Sequence, residues 1–142
     1  MQQAIDKARA LVEAHAYIRR FRGRDVVVKV GGSIMDDPEG LSRMLEDVAF
    51  MAAVGMRPVI VHGGGKAISQ AMTDAGLEAQ FVQGRRYTDD RTLSIAEHVL
   101  VNDINKWIRE RLAEQGVKPM GLHWLGACVV FVDRLLVWSG GV

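Results

Sequence analysis

Ile5, Ala8, Leu11, Val12 and Ala16 recur at helical spacing, with Asp6, Lys7, Arg9 and Glu13 between them, so the chain is expected to open on an amphipathic helix. That helix runs into Tyr17-Ile18-Arg19-Arg20-Phe21-Arg22-Gly23, a basic and aromatic stretch suited to ending it. The arginines there read more readily as a solvated helix end than as an anion site. Val26-Val27-Val28-Lys29-Val30 is β-branched and almost uninterrupted, the pattern of a strand covered on both faces in a parallel sheet, and Gly31-Gly32-Ser33 breaks it. Asp37 is placed to cap a helix beginning at Pro38, with Leu41, Met44, Leu45, Val48 and Met51 on one face and a stop near Gly55. A second short strand, Pro58-Val59-Ile60-Val61-His62, is broken by Gly63-Gly64-Gly65 before a helix over 67–75. Strand, glycines and helix thus occur twice.

A loop containing Gly84-Arg85-Arg86-Tyr87-Thr88-Asp89 leads to Leu93, Ala96, Val99, Leu100, Ile104, Trp107, Ile108 and Leu112, which mark one long helix ending near Gly116. Met120-Gly121-Leu122 is read as the start of a strand, and the stretch from Cys128 to Trp138 as two strands folded about Asp133-Arg134. The alternation predicts an α/β fold: an open, mainly parallel sheet flanked by helices. Its 142 residues suffice for a core without disulfides or metal.

Composition narrows the partners. Lys and Arg total 18 against 17 Asp and Glu, a net charge of +1, which removes the overall basicity expected of a nucleic-acid-binding chain. The single cysteine cannot form an internal disulfide, and the scattered His15, His62, His98 and His123 make no zinc-site spacing. No signal peptide is evident and the apolar runs are far shorter than the ~20 residues that span a bilayer, so the expectation is a soluble, cytoplasmic protein with neither membrane nor nucleic acid as partner.

In open parallel sheets ligands lie beyond the carboxyl ends of the strands, where both glycine clusters fall. Glycine lets backbone amides approach an oxyanion, and a following helix adds the positive end of its dipole. Neither cluster is a Walker A loop or a GxGxxG fingerprint; an ordinary tight turn competes with the anion-binding reading. Lys29, one residue before the end of its strand, is placed to reach a phosphoryl group over Gly31 and Gly32, the alternative being an exposed strand-end lysine. Arg86, beside Thr88 and Asp89, is placed to clamp a carboxylate through two hydrogen bonds, and Arg85 serves equally well on this ground. His62 has no neighbour completing a catalytic triad, while Cys128, Trp107 and the methionines read as core.

Lys29-Val30-Gly31-Gly32 resembles the first strand and glycine turn of the amino acid kinase superfamily. Val61-His62-Gly63-Gly64-Gly65 and Gly84-Arg85-Arg86-Tyr87-Thr88-Asp89 resemble, more specifically, its acetylglutamate kinases. The resemblance implies transfer of the ATP γ-phosphoryl group to the side-chain carboxylate of N-acetyl-L-glutamate in arginine biosynthesis, with Mg2+ entering as the ATP complex and no metal ligand in this chain. It implies that Lys29 is catalytic and stabilises charge on the transferring group, that Gly31 and Gly32 bind phosphate, and that Gly64, Gly65 and Arg86 bind acetylglutamate, Arg86 through its α-carboxylate. It also implies a homo-oligomer, a dimer or, through the N-terminal helix, a hexamer. Residues 1–23 would be that helix and its connector, and 24–142 the acetylglutamate-binding and dimerisation domain.

The likeness covers roughly residues 8–122. The family's nucleotide-binding half has no counterpart here, Gly121-Leu122-His123-Trp124-Leu125-Gly126 replaces its Gly/Lys/Asp-rich turn, and Lys66 stands where it often has proline. The expectation is therefore a truncated kinase whose isolated chain is inactive. A kinase of an aminoadipate derivative and a non-catalytic substrate-binding or assembly module are the alternatives.

Overall fold

The computed structural model describes residues 1–122. Cys128 and the strand pair expected about Asp133-Arg134 lie outside them. The chain divides into two compact units, one of Met1–His62 with Arg111–Lys118, the other of Gly63–Glu110 with the described residues from Pro119 onward.

In the first unit, helix α1 spans Gln2–Phe21 and buries none of its residues. Its predicted stripe stands open, with Leu11 72% and Val12 75% exposed. Strand β1 (Asp25–Val30) pairs in parallel with β2 (Arg57–His62), in register from Asp25 opposite Arg57 to Val30 opposite His62. The register is pinned where the strands begin. Arg57 grips Asp25 with both Nε to Oδ1 (2.7 Å) and Nη2 to Oδ2 (3.1 Å), and the Gly23 amide donates to the Gly55 carbonyl at 2.7 Å. Between the strands lie one helical turn, α2 (Gly32–Met35), and helix α3 (Pro38–Ala53), which starts as its sequence predicts, with Pro38 in the first turn and the Asp37 side chain accepting from the Gly40 amide at 3.0 Å. α3 packs against β2 and buries Leu41, Leu45, Val48 and Ala49.

The valine run is not covered on both faces, contrary to its reading as a fully buried strand. Val30 is buried and Val26 and Val28 half-buried, but Val27 is 69% exposed and Val59 and Val61 are exposed with it. β-branched residues favour extended backbone whichever face is packed, so an unbroken run carries no information about the second face.

In the second unit, α4 (Gly65–Asp74) follows the glycine triplet. The segment expected as a loop contains a short antiparallel hairpin, β3 (Phe81–Val82) and β4 (Arg85–Arg86), turning through Gln83 and Gly84, both at positive φ (51° and 75°). The single long helix is instead composite. α5 (Asp90–His98), capped by Asp89 on the Thr92 amide at 2.8 Å, passes into a π-helical stretch, Val99–Asn105, and then into α6 (Lys106–Glu114), whose residues from Arg111 belong to the first unit. Ile68, Met72 and Val99 form the core of this unit, with Leu77, Ile95, Leu100 and Ile104 packed around them. Met120-Gly121-Leu122 is irregular rather than a strand.

Candidate functional site

Because β1 and β2 are parallel and end level, the chain leaves them at the same sheet edge, at Gly31 and at Gly63. Neither glycine, nor Gly32 or Gly65, has the left-handed backbone that requires glycine, and a Cβ built on any of the four meets nothing within 4 Å. The folded chain itself therefore gives no reason for glycine at these places. What they provide is open approach to the backbone. The helices that follow reinforce this: α3 and α5 satisfy first-turn amides with Asp37 and Asp89, whereas α2 and α4, capped by Gly31 and Gly64, have no side-chain cap. Beside the first turn, Lys29 projects from the exposed face of β1 and makes no hydrogen bond or ion pair among the described residues. That is the route to water which a lysine in a valine run requires.

Gly64 is different, being held by packing. A Cβ there would lie 2.7 Å from Ile104 Cδ1 and 2.8 Å from Leu100 Cδ2, so the π-helical stretch presses two side chains onto the middle of the triplet. This close approach fixes the start of α4.

Arg86 reaches the same turn from β4. Alternation along that strand leaves Arg85 exposed and Arg86 half-buried, which separates two residues the sequence left equivalent. Its Nη2 donates to the Gly65 carbonyl at 2.9 Å and to Ser69 Oγ at 2.7 Å, its Nη1 to Met72 Sδ at 3.2 Å, and its Cζ lies 5.0 Å from the centroid of the Phe81 ring. Every one of these partners is uncharged. Among the described residues no carboxylate pairs with Arg86, so a guanidinium that is fixed in place keeps its whole charge for an anion. Nη2 has spent both hydrogens, and Nε–H with one Nη1–H remains for a ligand.

Near this turn Asp89 has its carboxyl held below the ordinary carboxylate range by the hydrogen bond from the Thr92 amide, then by the Thr92 side chain. His62 sits half-buried at the end of β2. No group of three or more His, Cys, Asp or Glu among the described residues could hold a metal ion, and no described helix is long and apolar enough to cross a membrane. The structure thus brings Gly65 and Arg86 together and sets Gly31 and Gly32 directly after Lys29. Ser69 and Phe81 were absent from the sequence reading, which placed Leu100 and Ile104 on a helix face without a part in the turn. Ser69 had a signal, its position four residues after Gly65 on the helix that the triplet starts.

The model of the amino acid kinase family matches residues 25–139. The chain belongs to the amino acid kinase family. Among curated amino acid kinases, it is 47% identical over 135 residues to an acetylglutamate kinase of Symbiobacterium thermophilum, a match covering 95% of this chain and 46% of that one. An acetylglutamate kinase of Halothermothrix orenii is 40% identical over 136 residues, covering 96% and 47%. The chain therefore spans about half the length of these relatives. Among solved structures, the Streptococcus mutans protein smu.665 matches with a TM-score of 0.58 at 29% identity, covering 66% of this chain and 37% of that one. An N-acetylglutamate synthase of Neisseria gonorrhoeae matches with a TM-score of 0.57 at 24% identity over 74% and 23%, a likeness of fold.

Proposed function

We propose that this chain is the acetylglutamate-binding half of an acetylglutamate kinase. The observation that carries the reading is the Arg86 guanidinium, held by neutral groups against the uncapped first turn of α4, in a chain 47% identical to an enzyme of that name. Arg86 holds the α-carboxylate of N-acetyl-L-glutamate by its charge and a free N–H, while the backbone at Gly64 and Gly65 lines the rest of the pocket. Gly31 and Gly32, where no Cβ obstructs approach, fit the phosphates of an ATP–Mg2+ complex. A metal that arrives with its nucleotide needs no carboxylate cage in this chain.

ATP supplies the transferable group: the side-chain carboxylate oxygen bonds to the γ-phosphorus as the bond to the β,γ-bridging oxygen breaks, and ADP leaves. A carboxylate nucleophile carries no proton at neutral pH, which removes the need for a general base. Lys29 neutralises charge on the transferring group, and positioning supplies the remainder of the effect. Residues 1–23 act as helix and connector and 24–142 as the substrate and dimerisation domain. α1, whose apolar stripe is open, joins subunits in a cytoplasmic homo-oligomer.

The test is calorimetric titration of N-acetyl-L-glutamate into the purified chain. Arg86→Ala is expected to weaken binding by roughly ten- to a hundredfold, the scale of a charge-assisted hydrogen bond, whereas Lys29→Ala leaves it within about twofold because its partner is the phosphoryl group. Absence of binding by a folded wild-type chain overturns the reading.

A further inference from the structure

Arginine is long and rotamer-rich, and fixing one at the moment of binding costs a large part of what its hydrogen bonds return. Arg86 is fixed beforehand, and Ser69 holds the centre of the arrangement. Its hydroxyl donates to the Gly65 carbonyl at 3.0 Å, so its lone pairs are turned to Nη2 of Arg86, which donates to it at 2.7 Å. The same Nη2 donates its second hydrogen to the Gly65 carbonyl, closing a triangle of Ser69, Gly65 and Arg86 on the first turn of α4.

We propose that Ser69 is a positioning residue for Arg86, holding Nη2 against the first turn of α4 so that the guanidinium meets a carboxylate ligand through a free N–H with its charge undiminished. The inference rests on reading Arg86 as the group that meets the substrate's α-carboxylate.

A neutral hydroxyl is the right chemistry for this task. Asp or Glu at position 69 would hold the guanidinium more tightly but cancel its charge, and alanine would leave Nη2 with the Gly65 carbonyl alone. Phe81 supports the same geometry, its ring offering a negative face to Cζ without an anionic group. Met72, fully buried, supplies the third contact. Helix propensity favours Ser69→Ala, so that variant is expected to fold.

Two measurements on the 142-residue chain decide the matter. In the ligand-free protein, nuclear magnetic resonance of 15N-arginine-labelled chain is expected to resolve the two Nη2 protons of Arg86 in wild type and Ser69→Thr, and to show them averaged by rotation in Ser69→Ala. Calorimetry then compares N-acetyl-L-glutamate with 4-acetamidobutanoate, which keeps the terminal carboxylate and lacks the α-carboxylate. Ser69→Ala is expected to weaken the first roughly five- to tenfold and leave the second unchanged, with Ser69→Thr restoring wild-type affinity.

Unchanged Nη2 signals in Ser69→Ala overturn the positioning role, as does equal weakening of both ligands. A wild-type chain that holds Arg86 in the Ser69-dependent way and binds neither ligand supports the positioning role while removing acetylglutamate as the substrate.

Discussion

Two adjacent glycines in one turn are kept for opposite reasons, and substitution separates them. At Gly64 a methyl group would press on Leu100 and Ile104 at 2.7–2.8 Å, in side chains that also pack the core of their unit. Gly64→Ala is expected to destabilise the chain by about 1–2 kcal/mol, the scale of overpacking, measured as a shift of the urea midpoint. At Gly65 a methyl group meets nothing; Gly65→Ala is expected to leave stability unchanged or raise it by about 0.5–1 kcal/mol while weakening acetylglutamate binding. The contrast distinguishes a glycine required by packing from one left for a ligand. At the other end of the strands, Arg57 lowers the pKa of Asp25, chiefly by its hydrogen bonds and then by its charge. A carboxyl whose folded pKa lies below its unfolded value of about 3.9 stabilises the fold above that value, and the contribution fades as pH falls through the folded pKa. The difference in urea midpoint between wild type and Asp25→Asn is therefore expected at pH 7 and in low salt, shrinking as the pH falls below the unfolded value and at high ionic strength.

The hairpin of β3 and β4 turns through two residues of positive φ, the geometry of a type I′ turn, and Gln83 is the non-glycine member at φ 51°. Asparagine tolerates that conformation better than glutamine, so Gln83→Asn is expected to stabilise the chain by at most about 1 kcal/mol, seen as a raised thermal midpoint with Arg86 still functional. The pair Gln-Gly is a weak version of the Asn-Gly signal, which is why the sequence reads there as a loop. Elements whose ends carry strong local chemistry were legible: Asp37-Pro38 starts α3, and glycine ends both sheet strands. The break in the last helix was harder to see, although it left a trace. Ala96, Leu100, Ile104, Ile108 and Leu112 are spaced by fours throughout, a run that would wrap about 160° around a straight α-helix. The wider turn of the π-helical stretch relieves that drift. Lys29, Gly31, Gly32, Gly64, Gly65 and Arg86 could be proposed from sequence because each sits at a strand end, a glycine turn or a family motif. Ser69 left only its spacing from Gly65 and Phe81 left nothing, since their role exists only once the hairpin lays Arg86 against α4.

At the scale of the molecule, α1 poses the clearest question, because a helix of 20 residues that buries none of them is not held by packing. Isolated helices of this length are marginal in water, and tertiary burial of an apolar face is what normally sustains them. Here the face exists: Ile5, Leu11 and Val12 all lie exposed on it. The body is anchored separately, through the Gly23 amide on the Gly55 carbonyl and the Arg57 amide on the Arg24 carbonyl, both beyond the end of the helix. Removal of residues 1–20 is therefore expected to leave the thermal midpoint within about 2 °C, since no buried apolar contact is lost. If α1 joins subunits as proposed, the same truncation lowers the assembly mass in sedimentation equilibrium, and Leu11→Glu in the full chain does likewise. A full-length chain that already sediments at the 15.7 kDa of one chain removes the assembly role, and a large fall in midpoint on truncation shows that α1 stabilises its own unit.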